Sequence, residues 1–209
     1  MSILNDLSSQ KGDKTEESNR KVTVQCISNP DLIIEIIEGL SAKDKKLQSD
    51  CAEVCTMIAE KNPDLIVPFA EKIIPLITTK ETKTRWEIFH TLLFIADKIP
   101  GYIFSVLAEI EDITEKDKST IVRDYASETI ANYAKAGKEH SEKAFIILKK
   151  ILKTWEEKHA KQVFIGFNHI LIHLPQLKNE IGNLVRPYLD AKKKVVAKEA
   201  VKILKHIEK

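Results

Sequence analysis

Glycine and proline are scarce in this 209-residue chain, at 6 and 7 residues. That argues against a loop-rich or all-β protein, whose turns draw heavily on both. Cysteine is sparser still: Cys26, Cys51 and Cys55 are an odd set that makes no disulfide framework, so a reducing, cytoplasmic setting is expected. Charge of one sign is not in excess. Lys and Arg total 33 against 31 Asp and Glu, a net charge of +2, which gives no global argument for a polyanionic partner. The start of the chain carries no basic leader followed by an apolar stretch. The longest apolar run, 163–174, is interrupted by Asn168, His169 and His173. A membrane span needs about 20 apolar residues, so no membrane is expected. There is no glycine-rich phosphate loop, dinucleotide fingerprint or Gly-x-Ser-x-Gly elbow, so no catalytic residue, cofactor or metal is assigned and no enzyme is expected.

What the chain does have is a repeat. With 43% hydrophobic and 31% charged residues it holds enough apolar material for a sizeable core. Cys51, Val54, Cys55, Ile58 and Ala59 follow the i, i+3, i+4, i+7, i+8 spacing of one buried helix face. The same stripe recurs at steps of about 37–38 residues: Ile88, Thr91, Leu92, Ile95, Ala96; then Ala126, Thr129, Ile130, Tyr133, Ala134; then Phe164, Phe167, Asn168, Leu171, Ile172. Such periods indicate stacked supersecondary units. A fifth striped helix is predicted over 196–207.

The punctuation repeats with the stripes. Pro63, Pro100 and Pro175 each follow a stripe by three or four residues, and Gly137 supplies the stop in the remaining case. A shorter first helix is predicted between each stop and the next stripe, over 32–40, 65–77, 102–113, 142–154 and 177–189. An extra helix over 16–27 is expected to cover the first pair. The reading is a single domain, 1–209. Residues 1–29 form an N-terminal cap, followed by repeats 30–62, 63–100, 101–137, 138–175 and 176–209.

Residues 67–99, VPFAEKIIPLITTKETKTRWEIFHTLLFIADKI, resemble a HEAT repeat: a first helix carrying Pro75, a polar turn, then Arg85 opening the second helix. Arg123 and Lys161 hold the same relative place, and the first repeat has Gln48 there. The aspartate usual in that turn is replaced by Glu81, Ser119 and Glu157. The resemblance to the HEAT/armadillo helical-repeat family covers about 180 residues. It implies an all-α, right-handed α-solenoid of about five antiparallel helix pairs, an armadillo-type superhelix whose second helices line the concave side.

On that geometry the outward residues of the second helices are the expected binding surface. They include Ser49, Glu53 and Thr56, then Trp86, His90, Leu93 and Phe94, then Glu128, then Gly166, His169 and Ile170, then Lys198, Lys202 and Lys205. Trp86, His90 and Phe94 are the expected anchors for a protein or peptide partner, with Glu128, His169 and the lysines as further contacts. Leu93 and Phe94 stand either as part of that anchor or packed against adjacent helices. The surface runs from acidic early repeats to a lysine-rich end. A nucleic-acid partner bound there, as in DNA-repair proteins of HEAT-like fold, is the second candidate. His169 and His173 share a metal-compatible spacing, but no third ligand accompanies them, so no metal site is assigned. A monomer is expected.

Overall fold

A computed structural model describes residues 2–208, and among these no strand occurs. The chain forms two compact units, Met1–Val106 and Leu107–Lys209.

The first unit begins with a 3-10 turn (Ile3–Asp6) and two helices, α1 (Ser8–Lys11) and α2 (Glu17–Ser28). Then come α3 (Ile33–Gly39), α4 (Lys45–Lys61), α5 (Ala70–Ile73), α6 (Thr82–Ile95) and α7 (Pro100–Ser105). The N-terminal segment is anchored by burial of Ile3 and Leu7. It is also held by bonds from Ser2 Oγ and Ile3 N–H to Glu35, and from Ser9 N–H to Asp50. The second unit holds α8 (Leu107–Lys116), α9 (Thr120–Tyr133), α10 (Lys138–Trp155), α11 (Ala160–His173), α12 (Lys178–Val185) and α13 (Lys194–Ile207).

The second helices of the repeats are regular, and the first helices are not. The helix expected over 65–77 is a chain of short pieces: 3-10 turns at Pro63–Leu65, Val67–Phe69 and Ile74–Thr78 around α5. Pro68 and Pro75 remove donors and crowd the preceding turn, which favours tighter 3-10 winding over a continuous α-helix. Pro187 has the same effect after α12, where Arg186–Tyr188 is 3-10. The helix expected over 102–113 breaks at Val106, whose φ of −120° and ψ of 17° are not helical. By contrast α10, with no proline inside, runs unbroken for 18 residues.

The first three predicted stripes are buried throughout. The fourth is displaced. In α11 the buried residues are Ala160, Val163, Phe164, Gly166, Phe167, Ile170 and Leu171, while Ile172 is 68% exposed and Asn168 is half-buried. Every apolar residue from 163 to 172 could have faced the core, so composition did not fix the phase, and packing on α9 and α10 did. Asn168 satisfies its amide locally, on the Phe164 carbonyl.

In α4, α6 and α9 the residue near the start of the helix locks the turn before it. Gln48 Nε2 donates to the Leu40 carbonyl at 2.7 Å, and Arg85 Nη1 to that of Thr79 at 2.6 Å. Arg123 Nη1 donates to the carbonyl of Asp117. A glutamine and two arginines at one repeat position thus capture carbonyls at a chain reversal.

Candidate functional site

The second helices of the first unit place two columns side by side. Ser49, Glu53 and Thr56 rise along α4; Thr84, Glu87 and Thr91 face them from α6. Ser49 Oγ lies 2.9 Å from Thr84 Oγ1. Thr56 Oγ1 lies 2.9 Å from Glu87 Oε2 and 3.0 Å from Thr91 Oγ1. These α4 residues were expected to face outward; Ser49, Glu53 and Thr56 are each only 5% exposed. Adjacent second helices pack directly on each other, so the flank of α4 is covered by α6. The polar side chains survive there because each is hydrogen-bonded.

Glu87 sits at the centre. Its Oε1 accepts from the Trp86 indole N–H at 2.7 Å, and its Oε2 is 4.0 Å from His90 Nδ1. Burial pushes the Glu87 carboxyl above the ordinary glutamate range, against the pull of its bonds to Trp86 and Thr56 and the charge of Lys83. Burial also pulls His90 below the ordinary histidine value, so at neutral pH it presents a neutral ring.

Along the next stripe of α6, Lys83, Trp86, His90 and Phe94 follow one another at helical spacing, each half-exposed. The His90 and Phe94 rings lie 5.5 Å apart, centroid to centroid, at an interplanar angle of 31°. Leu93 is half-exposed as well. Of the expected anchors, then, the first unit brings together Trp86, His90, Leu93 and Phe94 on a single helix.

Lys83 joins this strip to a cavity of about 1020 Å³ bounded by α1, α2 and the start of α4, with Ser8, Asn19, Lys46, Asp50, Glu53 and Lys83 among its lining. Lys83 Nζ pairs with Glu53 Oε2 at 2.9 Å, and Asn19 Nδ2 donates to the same oxygen at 3.3 Å. Asn19 Oδ1 in turn accepts from Ser8 N–H at 2.9 Å. Burial raises the Glu53 carboxyl, opposed by Lys83 and reinforced by the charges of Glu87 and Glu16. Sequence reasoning missed this cavity, because half its wall comes from an N-terminal segment outside the repeat pattern.

The remaining expected residues lie in the second unit. Glu128 on α9 is half-buried beside Lys161 and Gln162 of α11, and burial lifts its carboxyl above the usual range. His169 is half-buried on α11. Lys198, Lys202 and Lys205 are exposed on α13, with Lys202 paired to Glu199 at 2.7 Å. Gly166 and Ile170, expected to face outward, are buried. A Cβ on Gly166 would stand 3.2 Å from the Ala131 backbone, so α11 meets α9 there with no room for a partner.

The three cysteines are buried, and burial drives their thiols upward, Cys26 to about 11 and Cys51 to about 12. They are thiols, not thiolates, at neutral pH. Among the described residues no group of three or more His, Cys, Asp or Glu is placed to hold a metal ion. No described helix is long and apolar enough to cross a membrane.

No protein-family model and no curated protein matches the chain. Solved structures do. A designed armadillo repeat protein in complex with the peptide (KR)4 superposes with a TM-score of 0.74 at 16% identity, over 98% of each chain. Computationally designed armadillo repeat proteins for modular peptide recognition give 0.71 at 15% identity, over 97% of each chain. An engineered protein from a structural genomics consortium gives 0.71 at 17% identity, covering 99% of this chain and 95% of that one. The fold is therefore all-α and built of helix pairs, in the class of the right-handed HEAT/armadillo-type superhelix.

Proposed function

We propose that the protein is a non-catalytic interaction scaffold that holds an extended peptide segment of a partner protein across the second-helix face of its first unit. One observation carries this reading. Trp86, His90 and Phe94 run half-exposed along a single stripe of α6, which continues through Lys83 into a cavity. Aromatic rings held rigidly at the edge of a polar groove are the composition of an interface anchor. The hydrogen bond from Trp86 to Glu87 fixes the indole, so little side-chain freedom is lost on binding. Similarity to designed peptide binders supports the same reading at the level of the fold.

The test is to select binding peptides from a displayed random library with the full chain, then measure their affinity for Trp86→Ala and Phe94→Ala. Each substitution is expected to weaken binding by about tenfold or more, as a hot-spot loss above about 1.4 kcal/mol requires, with helical content and melting temperature within a few degrees of the parent. Variants that melt far below the parent would instead make these side chains part of the core.

A further inference from the structure

Helix α13 has two unlike sides. Val196, Ala200 and Ile203 are buried, while Lys194, Val195, Lys198, Val201, Lys202 and Lys205 are exposed. The lysines stand at i, i+4, i+8 and i+11, so like charges meet one turn apart three times in succession. Elsewhere the chain sets opposite charges at that spacing: Glu16 with Arg20, Glu17 with Lys21, Asp112 with Lys116 and Glu139 with Lys143. On α13 Lys202 is compensated, by Glu199 at 2.7 Å. Lys194, Lys198 and Lys205 have no ion pair among the described residues. The acids nearby leave the face positive. Asp190 and Glu208 lie beyond either end of the lysine stripe, and Glu157 accepts the N–H groups of Lys192 and Lys193. Like charges stacked along one side of a helix repel, and a surface of opposite charge relieves them.

We propose that this face of α13 docks an acidic amphipathic helix of a partner protein, with carboxylates against Lys194, Lys198 and Lys205 and an apolar side chain on Val201. The line through Lys194, Lys198, Val201 and Lys205 steps by four, three and four residues, the line along which a second helix lies against a first. It runs for about 17 Å, at roughly 1.5 Å per residue. The valines favour a protein over a nucleic acid. Phosphates gain nothing from an aliphatic side chain, and none of the six exposed residues is an arginine, an amide or an aromatic that could read or stack a base. His206 lies off this line, with its Nδ1 3.3 Å from Asn168 Oδ1. A lipid surface fits less well too, because α13 turns the larger Ile203 inward and offers only valines for insertion. The face belongs to the second unit and the aromatic strip to the first, so the two are tested separately.

The experiment titrates the full chain against a labelled helical peptide of about three heptads, followed by fluorescence anisotropy. One side of the peptide carries glutamates at i, i+4 and i+11 and a leucine at i+7. A control peptide of the same composition spreads the glutamates around the helix. Saturable binding of the first peptide is expected, weakening as salt rises, with the control at least about tenfold weaker. Replacing Lys198 and Lys205 together by Glu should cost about tenfold or more, and replacing both by Gln about threefold. Val201→Ser should cost about threefold, and Lys153→Glu, an exposed charge change on α10, should cost nothing. All these side chains are exposed, so melting temperatures should stay within a few degrees of the parent. Equal binding of the two peptides, or affinity unchanged by the double substitutions, would overturn the proposal. So would tighter binding of a short DNA duplex, or of vesicles of anionic phospholipid, through the same lysines. Loss of the acidic peptide with capture at Trp86 and Phe94 intact would count against the α13 face alone.

Discussion

The guanidinium of Arg123 lies 4.2 Å from the centre of the Trp155 ring, and both side chains bind the turns on either side of them. Arg123 donates to the Asp117 carbonyl, to Thr120 Oγ1 at 3.1 Å and to His159 Nε2 at 3.2 Å, while the Trp155 indole N–H reaches the Thr114 carbonyl at 2.9 Å. His159 Nδ1 lies 2.6 Å from Asp124, so its Nε2 is the free acceptor that Arg123 needs. Two turns and two helix starts are thereby joined. Arg123→Ala should cost about 2–4 kcal/mol, since it orphans several buried acceptors at once. Arg123→Lys should recover little of this, because an ammonium lacks the planar fork and the stacking face. Urea denaturation followed by tryptophan emission reads both.

Gly166 offers a sharper steric test. A Cβ there would fall 2.4 Å from Leu148 Cδ1 and 3.1 Å from Ala131 Cβ. Leu148 can turn aside, but Ala131 is fixed by its helix. Gly166→Ala should therefore destabilise by about 1–3 kcal/mol. Gly182, in α12, has its nearest neighbours at 3.8 and 4.0 Å, and Gly182→Ala should stabilise by up to about 1 kcal/mol through helix propensity. Opposite shifts in melting temperature check the pair.

Glu156 is the one non-glycine residue described with positive φ, at 50° with ψ of −123°. That conformation suits glycine, and any Cβ strains it. Glu156→Gly should raise stability by about 1 kcal/mol. Replacing its neighbour should do the reverse. Glu157 accepts from the N–H groups of Lys192 and Lys193, and Glu157→Ala removes both bonds. Thermal melts of the two variants should move in opposite directions.

Acidity should stabilise the fold before it harms it. Burial pushes Glu53, Glu87 and Glu128 above the ordinary glutamate value of 4.5. Between that value and the raised ones, the folded chain holds more protons than the unfolded chain, so stability falls as pH rises through the window. The melting temperature is expected to increase as pH drops from about 7 toward about 5. Glu87→Gln keeps an oxygen for the Trp86 indole and removes the buried charge. It should melt higher than the parent at neutral pH and gain less on acidification, as calorimetry across the pH range would show.

The recurrence of the stripes makes the helix-pair repeat legible in the sequence alone. Cys51 to Ala59, Ile88 to Ala96 and Ala126 to Ala134 lie on buried faces as their spacing requires, because a helix with one apolar stripe has a single way to hide it. The repeated position of Gln48, Arg85 and Arg123 was equally visible, although its task, seizing a turn carbonyl, was not. Residue spacing also placed Trp86, His90 and Phe94 on one stripe. What it could not decide was which flanks of a helix its neighbours cover. Ser49, Glu53 and Thr56 are as polar as surface residues, yet α6 buries them, since hydrogen bonds from a particular partner helix replace those from water. The phase of α11 was open for a similar reason: where nearly every residue is apolar, contacts with α9 and α10 choose the face. Local sequence determines the period of a helix and where it stops. Which side is dry, and where a cavity opens between the N-terminal segment and the repeat, depends on groups far apart in the chain meeting in space.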